Sequence, residues 1–349
     1  MNRKPSSSTL TVTVLAGALL AATGAGAEIF KKEDLLRGIT ITHQQCDATA
    51  QTMWLSLHGH DYCVRYYLSV AGGEGQRPVV FLQGDQLGKF NVKTWTWIDT
   101  SDAKDMDTDD IMKMADGFSK SAKTTAIYLA RIGVDGTSGN HMARKSLLEL
   151  ELMNLALDTL KQRYGYEGFH LAGQSGGSKL VAGLIGLRHD VACAVMGSGP
   201  LTAPDERKSS DPGRAAFDAT QNVAQVAQNH SLRPMLVTDK ADKTVPIAQQ
   251  SGYVDRLRKA GRQVPQLFVE APETTDAKHH GVAGYTEIVA AGCVQGRTDD
   301  EIARAVGTLV KRNVEYNERR HKEAGAKASI VAAARAPVQD ASVATAGKR

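Results

Sequence analysis

Four cysteines in 349 residues, no uninterrupted apolar run of membrane-spanning length and no excess of one charge sign over the body of the chain remove several function classes at once. A chain this long is not a disulfide-stapled miniprotein, because it can bury a full core without such staples. The apolar stretch from Leu10 to Ala22 is interrupted by Thr11 and Thr13 and falls short of the roughly 20 residues that a bilayer-crossing helix needs. The formal charge of +4 belongs to the ends: Arg3 and Lys4 in the first 27 residues, and five positives against two negatives in the last 28. Between them stand 35 positives and 36 negatives, so nothing in the electrostatics favours DNA or RNA. At 23% charged residues the composition is that of an ordinary globular protein, which excludes wholesale disorder. No internal repeat and no Pro/Gly-rich linker divides the body, which reads as one domain.

What is present begins with the N-terminus. A basic head (Arg3, Lys4), about a dozen apolar residues and the step Ala25-Gly26-Ala27 have the form of a secretory signal peptide over residues 1–27, with cleavage after Ala27. Export to a periplasm or to the medium follows, and no cysteine near the cleavage point provides for a lipid anchor. The mature domain then spans 28–323. From Ala324 to Arg349 the chain is rich in alanine and lacks a continuing apolar stripe, so a frayed or disordered tail is expected. An exported chain can keep disulfides. Cys46 and Cys63 are close enough in sequence to close a short loop, a bridge that adds about 3 kcal/mol. Cys193 and Cys293 either pair or are both buried thiols.

The body alternates strands and helices. Met53–Leu57 and Tyr62–Val70 read as a hairpin about the turn His58-Gly59-His60-Asp61. Pro78–Gln83, Thr125–Ala130, Gly168–Ala172, Ala192–Gly197, Met235–Thr238 and Gln266–Val269 read as short buried strands. Helical spacing covers Thr108–Lys120, Ser146–Tyr164 (stopped by Gly165), Gly176–Leu187, Gln249–Ala260 and Asp299–Tyr316. Such alternation implies an α/β class: a doubly wound, mostly parallel sheet with helices on both faces and an antiparallel N-terminal hairpin at one edge.

The strongest chemical signal is Gly173-Gln174-Ser175-Gly176-Gly177, set between the strand ending at Ala172 and the helix that follows. A G-x-S-x-G run in that setting is a sharp strand-to-helix turn that lifts the serine hydroxyl above the sheet. The helix N-terminus then aims N–H groups at any negative charge forming beside the serine. A serine nucleophile needs a base, and the base needs an acid to orient it. Asp239 and Asp242 follow the strand Met235–Thr238; His279 and His280 follow Gln266–Val269. Both sets lie at carboxyl ends of strands, where open α/β sheets bind ligands.

These motifs, in this order over about residues 50–320, resemble the α/β-hydrolase superfamily, in particular its dienelactone-hydrolase and prolyl-oligopeptidase-like branches. The resemblance implies the α/β-hydrolase fold and a Ser-His-Asp triad. The acid in those proteins commonly stands in a D-x-x-V-P pattern, which Asp242-Lys-Thr-Val245-Pro246 matches, and the histidine is usually followed by glycine, which favours His280. Ser175, Asp242 and His280 are therefore the expected catalytic residues, with Asp239 and His279 as the alternatives. The oxyanion donors should be the N–H of Gly176 and one from the loop Gln83-Gly84-Asp85-Gln86, Asp85 first and Gly84 second. The family usually carries His-Gly where this chain carries Gln83-Gly84, and a carboxylate at Asp85 would oppose catalysis unless its side chain turns away. Gly84, Gln174 and Arg131 are expected to touch substrate, Arg131 as the start of a Gly-rich loop that either lines the pocket or packs beside the elbow.

No cofactor or metal is implied. His58-Gly-His60 with Asp61 and Cys63 reads as a polar turn, Gly72–Gly75 as a turn without a following helix, and Asn229-His-Ser231 as a chance glycosylation pattern. The expected partner is a small ester or a short peptide, with neither nucleic acid nor, after signal cleavage, a membrane. Peptide-cutting relatives usually carry a large N-terminal propeller, so ester-like substrates are favoured. The polar segment 198–233 lacks the apolar face of a lipase lid. The alternative is a non-catalytic binding protein of the same fold with an impaired oxyanion loop.

Overall fold

Two-residue His58-Gly59 closes the hairpin, and both residues have positive φ (52° and 75°), the turn geometry whose twist matches that of the flanking strands. It joins β1 (Thr52–Leu57) to β2 (His60–Ser69), so the turn is two residues rather than the four expected, and His60 and Asp61 already pair with Leu57 and Ser56. The computed structural model describes residues 27–86, 89–91, 96–99, 104–202, 209–272 and 278–335, with the backbone alone for 89–91, 96–99 and 326–335. The expected signal peptide lies outside the described residues, except for its last residue, Ala27.

Six further strands complete an eight-stranded sheet: β3 (Val79–Leu82), β4 (Ala126–Leu129), β5 (Phe169–Gln174), β6 (Val191–Gly197), β7 (Arg233–Asp239) and β8 (Gln266–Val269). The spatial order is β8-β7-β6-β5-β3-β4-β2-β1. From β4 to β8 all neighbours are parallel, and the hairpin adds antiparallel strands at one edge. Every residue of β3 and β4 is buried, as befits strands covered on both faces.

The helices divide between those faces. On one side α2 (Leu147–Tyr164), α3 (Gly176–Leu187) and α4 (Ile247–Lys259) bury Leu157, Leu180, Leu184 and Tyr253 against the sheet. On the other, α1 (Thr108–Ala122), α5 (Ala283–Val294) and α6 (Asp299–Arg335) bury Phe118, Tyr285, Val289 and Ile302. Ser146 caps α2 by accepting the Glu149 N–H, and Gly165 ends it in the left-handed region, as expected from its sequence. Helix α5 and a short helix at Val223–Gln228 were not expected. The last helix runs on to Arg335, into the alanine-rich segment read as a disordered tail; alanine has the highest intrinsic helix propensity, so no apolar stripe is needed to continue it. Residues 336–349 lie outside the described residues.

All four cysteines are paired. Cys46–Cys63 ties the short helix His43–Ala48 to β2, and Cys193–Cys293 ties β6 to α5 across a sequence separation of 100. Among the described residues no helix is long and apolar enough to cross a membrane.

What positions the site is the path around β3. From β3 the chain goes to β4 on one side and returns to β5 on the other, so the loops after β3 and β5 diverge at neighbouring carboxyl ends. That is the crevice where doubly wound sheets place their ligands.

Candidate active site

The chain has the α/β-hydrolase fold: a mostly parallel eight-stranded sheet, helices on both faces, an antiparallel hairpin at one edge, and a serine on the tight turn from β5 into α3. Ser175 has φ 53° and ψ −121°, a conformation that non-glycine residues adopt only when their surroundings enforce it. Here the enforcement is visible. The Ser175 N–H donates to the Gly197 carbonyl of β6 at 2.8 Å, while its own carbonyl accepts from the Lys179 N–H at 3.3 Å. A Cβ on Gly177 would overlap the Leu82 carbonyl of β3, and one on Gly173 would stand 2.7 Å from Gly177. Both motif glycines are therefore required by close backbone approach.

The candidate acid and base follow β7 and β8. Asp242 Oδ1 accepts the N–H groups of Thr244 (2.8 Å) and Val245 (2.9 Å), which leaves Oδ2 to His280 Nδ1 at 2.9 Å. The Asp242 side chain is fully buried and that of His280 largely so. Burial by itself would raise the Asp242 carboxyl, but the His280 hydrogen bond and the backbone N–H groups outweigh it and hold the acid below its ordinary pKa. Gln174, the residue before the serine, donates from Nε2 to the His280 carbonyl at 2.7 Å and so fastens the histidine to the elbow. With Nδ1 on Asp242, His280 keeps Nε2 for other chemistry. Ser175 Oγ makes no hydrogen bond among the described residues.

The alternative pair also forms. His279 Nδ1 stands 3.3 Å from Asp239 Oδ2, but that oxygen already accepts the Ala271 N–H at 2.7 Å, and Oδ1 accepts the Ala241 N–H at 2.8 Å.

The loop after β3 lies against the elbow. A Cβ on Gly84 would stand 3.3 Å from Ser175 Cβ. Neither the Gly176 N–H nor the Asp85 N–H has an acceptor among the described residues. The Asp85 side chain is turned inward, 6% exposed, with Oδ1 2.8 Å from Arg131 Nη1 and Oδ2 2.7 Å from Lys145 Nζ. Burial opposes its charge, but Lys145, Arg131 and Arg144 together hold the carboxyl well below its ordinary pKa.

Arg131 was expected to touch substrate. It is instead 1% exposed and committed to Glu149 in a two-pronged pair at 3.0 and 2.9 Å as well as to Asp85, because an always-charged group can be buried only when matched this fully. It packs beside the elbow, where it lines a small cavity together with Gln83 and Gly84. Gln174 is tied to the His280 carbonyl. Four residues that no motif pointed to complete this cluster: His141, Arg144, Lys145 and Glu149. His141 is buried, and its Nε2 accepts the Gln86 N–H at 3.2 Å while Nδ1 donates to the Ile132 carbonyl at 2.9 Å. Burial, then the neighbouring Arg131, lowers its pKa to about 3, so it is a neutral imidazole. Beside Gln86 opens a cavity whose walls mix Phe30, Leu35, Ile39 and Met106 with the charged Lys31, Lys32, Asp34, Lys104 and Asp135; neither Ser175 nor His280 lines it. His58 is hydrogen-bonded to Glu151 on the surface, and among the described residues no three His, Cys, Asp or Glu side chains come together to hold a metal ion.

No family model matches the chain, and no curated protein matches it in sequence. Similar folds are found among solved structures. An esterase of Pyrococcus furiosus is 11% identical over 74% of this chain and 95% of its own, with a TM-score of 0.49. Est1E of Butyrivibrio proteoclasticus, solved with ferulic acid, is 10% identical over 70% of this chain and 96% of its own, with a TM-score of 0.44. The acylaminoacyl peptidase of Pyrococcus horikoshii is 11% identical over 70% of this chain and 40% of its own length, with a TM-score of 0.45.

Proposed function

We propose that this chain is an exported serine hydrolase that cleaves small esters through an acyl-enzyme. The observation that carries the reading is the His280–Asp242 pair, fastened by Gln174 beside a serine held in the strained elbow conformation. Ser175 Oγ attacks the substrate carbonyl carbon, and His280 Nε2 takes the hydroxyl proton. The C=O π pair moves onto the oxygen, which the N–H groups of Gly176 and Asp85 stabilise. Collapse of the tetrahedral species expels the alcohol, which leaves with the proton from His280. Water then repeats the sequence on the acyl-enzyme and releases the acid. Asp242 keeps Nδ1 of His280 protonated and stabilises the imidazolium that forms twice per turnover. The missing Ser175–His280 hydrogen bond is in keeping with this scheme, because such contacts often tighten only when substrate is bound.

Two disulfides suit an oxidising compartment and thus export. The direct test is reaction of the purified protein with a fluorophosphonate, followed by peptide mapping. Stoichiometric modification at Ser175 is expected, with turnover of p-nitrophenyl esters reduced about 10⁴-fold or more in Ser175→Ala. A folded protein that takes no label would rule the reading out.

A further inference from the structure

The loop after β3 is held at the Gln83 carbonyl, the Asp85 carboxylate and the Gln86 N–H by residues from the loop after β4 and the start of α2. Arg131 Nη1 donates both to the Gln83 carbonyl at 3.1 Å and to Asp85 Oδ1 at 2.8 Å. Lys145 and Arg144 meet the other Asp85 oxygen at 2.7 and 3.4 Å. His141 receives the Gln86 N–H. Arg131 cannot shift to follow the loop, because its other two nitrogens are locked on Glu149, which is fully buried. The carboxylate lies directly behind the elbow: a Cβ on Gly176 would overlap Asp85 Oδ1 and stand 2.9 Å from Arg131 Nη1.

We propose that the Asp85 side chain is a positioning residue, which, drawn under the elbow into the Arg131–Glu149 fork, sets the Gly84–Gln86 backbone at the place where its N–H meets the oxyanion. This rests on the serine-hydrolase reading above.

Geometry and charge have opposite consequences here. Asp85 is a negative charge close to where another negative charge develops. If the side chain acted only through its field, neutralising it would leave Arg131, Arg144 and Lys145 less compensated and would speed attack. If it acts by holding the loop, neutralising it slows attack, since displacement of a donor by about 1 Å costs on the order of 10²-fold.

The experiment measures three quantities in the wild type, Asp85→Asn and Lys145→Met. They are the second-order rate of fluorophosphonate reaction, kcat and KM for a p-nitrophenyl ester, and hydrogen exchange of the 83–86 amides. Asp85→Asn keeps the shape and one acceptor. It should label and turn over about 10- to 100-fold more slowly, with KM within about 3-fold and faster exchange confined to 83–86. Lys145→Met removes a partner at the solvent edge and should move all three readouts the same way by less, so the question stands even if Asp85→Asn does not fold. Labelling of Asp85→Asn at or above the wild-type rate overturns the proposal, as does unchanged exchange across 83–86. A wild type that does not label while Asp85→Asn still loosens the loop would refute the hydrolase reading and leave the anchor intact.

Discussion

His280 and His279 are consecutive, and each sets its Nδ1 against an aspartate of the loop after β7: Asp242 at 2.9 Å and Asp239 at 3.3 Å. The difference lies in what else each carboxylate does. Asp242 divides its labour, with Oδ1 taking two backbone N–H groups and Oδ2 reserved for the imidazole. Asp239 spends both oxygens on the backbone, at Ala241 and Ala271, and its imidazole shares an oxygen already in use. On the proposed reading the first carboxylate orients a base; the second closes the turn between β7 and the segment leaving β8. Only His280 is also tied to the elbow, through Gln174. The free oxygen of Asp242 and the tie to the elbow are what favour His280 over His279 as the proposed base.

The largest effect that would break this comparison comes from exchanging the histidines one at a time. His280→Asn should lower ester kcat by about 10³- to 10⁴-fold, whereas His279→Asn should stay within about 3-fold. Asparagine suits the second position because His279 has φ 54°, a region it tolerates. Equal losses from the two variants would make the pairs functionally interchangeable.

The aspartates should differ in turnover far more than in stability, since each accepts two backbone N–H groups. Asp242→Asn presents an amide to His280 and disturbs its tautomer, at a cost of about 10³- to 10⁴-fold in kcat. Asp239→Asn should change kcat only several-fold but lower the unfolding free energy by about 1–3 kcal/mol, because a buried acceptor for two N–H groups is impaired. Urea unfolding beside ester assays reads both; a stability loss confined to Asp242→Asn would reverse the roles.

How much of this was legible in the sequence depends on how local the cause is. The elbow was legible because Gly173 and Gly177 answer to backbone contacts made within a few residues and to one neighbouring strand. The preference for Asp242 over Asp239 rested on the resemblance and its D-x-x-V-P pattern; hydrogen-bond sharing by a carboxylate has no signature in a string of residues. The Asp85–Arg131–Glu149 cluster was illegible for a different reason. Its charges come from three separate segments that only the fold brings together, so the sequence leaves Arg131 open between lining a pocket and packing beside the elbow. Helix α5 was missed because Ala283–Val294 combines small and β-branched residues with burial nearly all round, which leaves no polar face to set a helical period. The pairing of Cys193 with Cys293 joins residues 100 apart, a distance over which spacing says nothing.

The smallest expected effect concerns pH, and it sharpens the contrast from the acid's side. The His280 hydrogen bond and the N–H groups of Val245 and Thr244 more than offset the cost of burying Asp242, so its folded pKa lies below its unfolded value of about 3.9. A carboxyl depressed on folding contributes stability that is fully present above the unfolded pKa and is lost as pH falls through the folded one. The unfolding free energy of the wild type should therefore exceed that of Asp242→Asn by a constant amount from pH 7 to about 5, and the gap should narrow as the pH drops below about 4. Urea titrations of both proteins over that range measure it directly. A gap that stays constant down to pH 3 would mean that the charge on Asp242 does nothing for the fold, and that its two backbone hydrogen bonds are equally well made by an uncharged side chain.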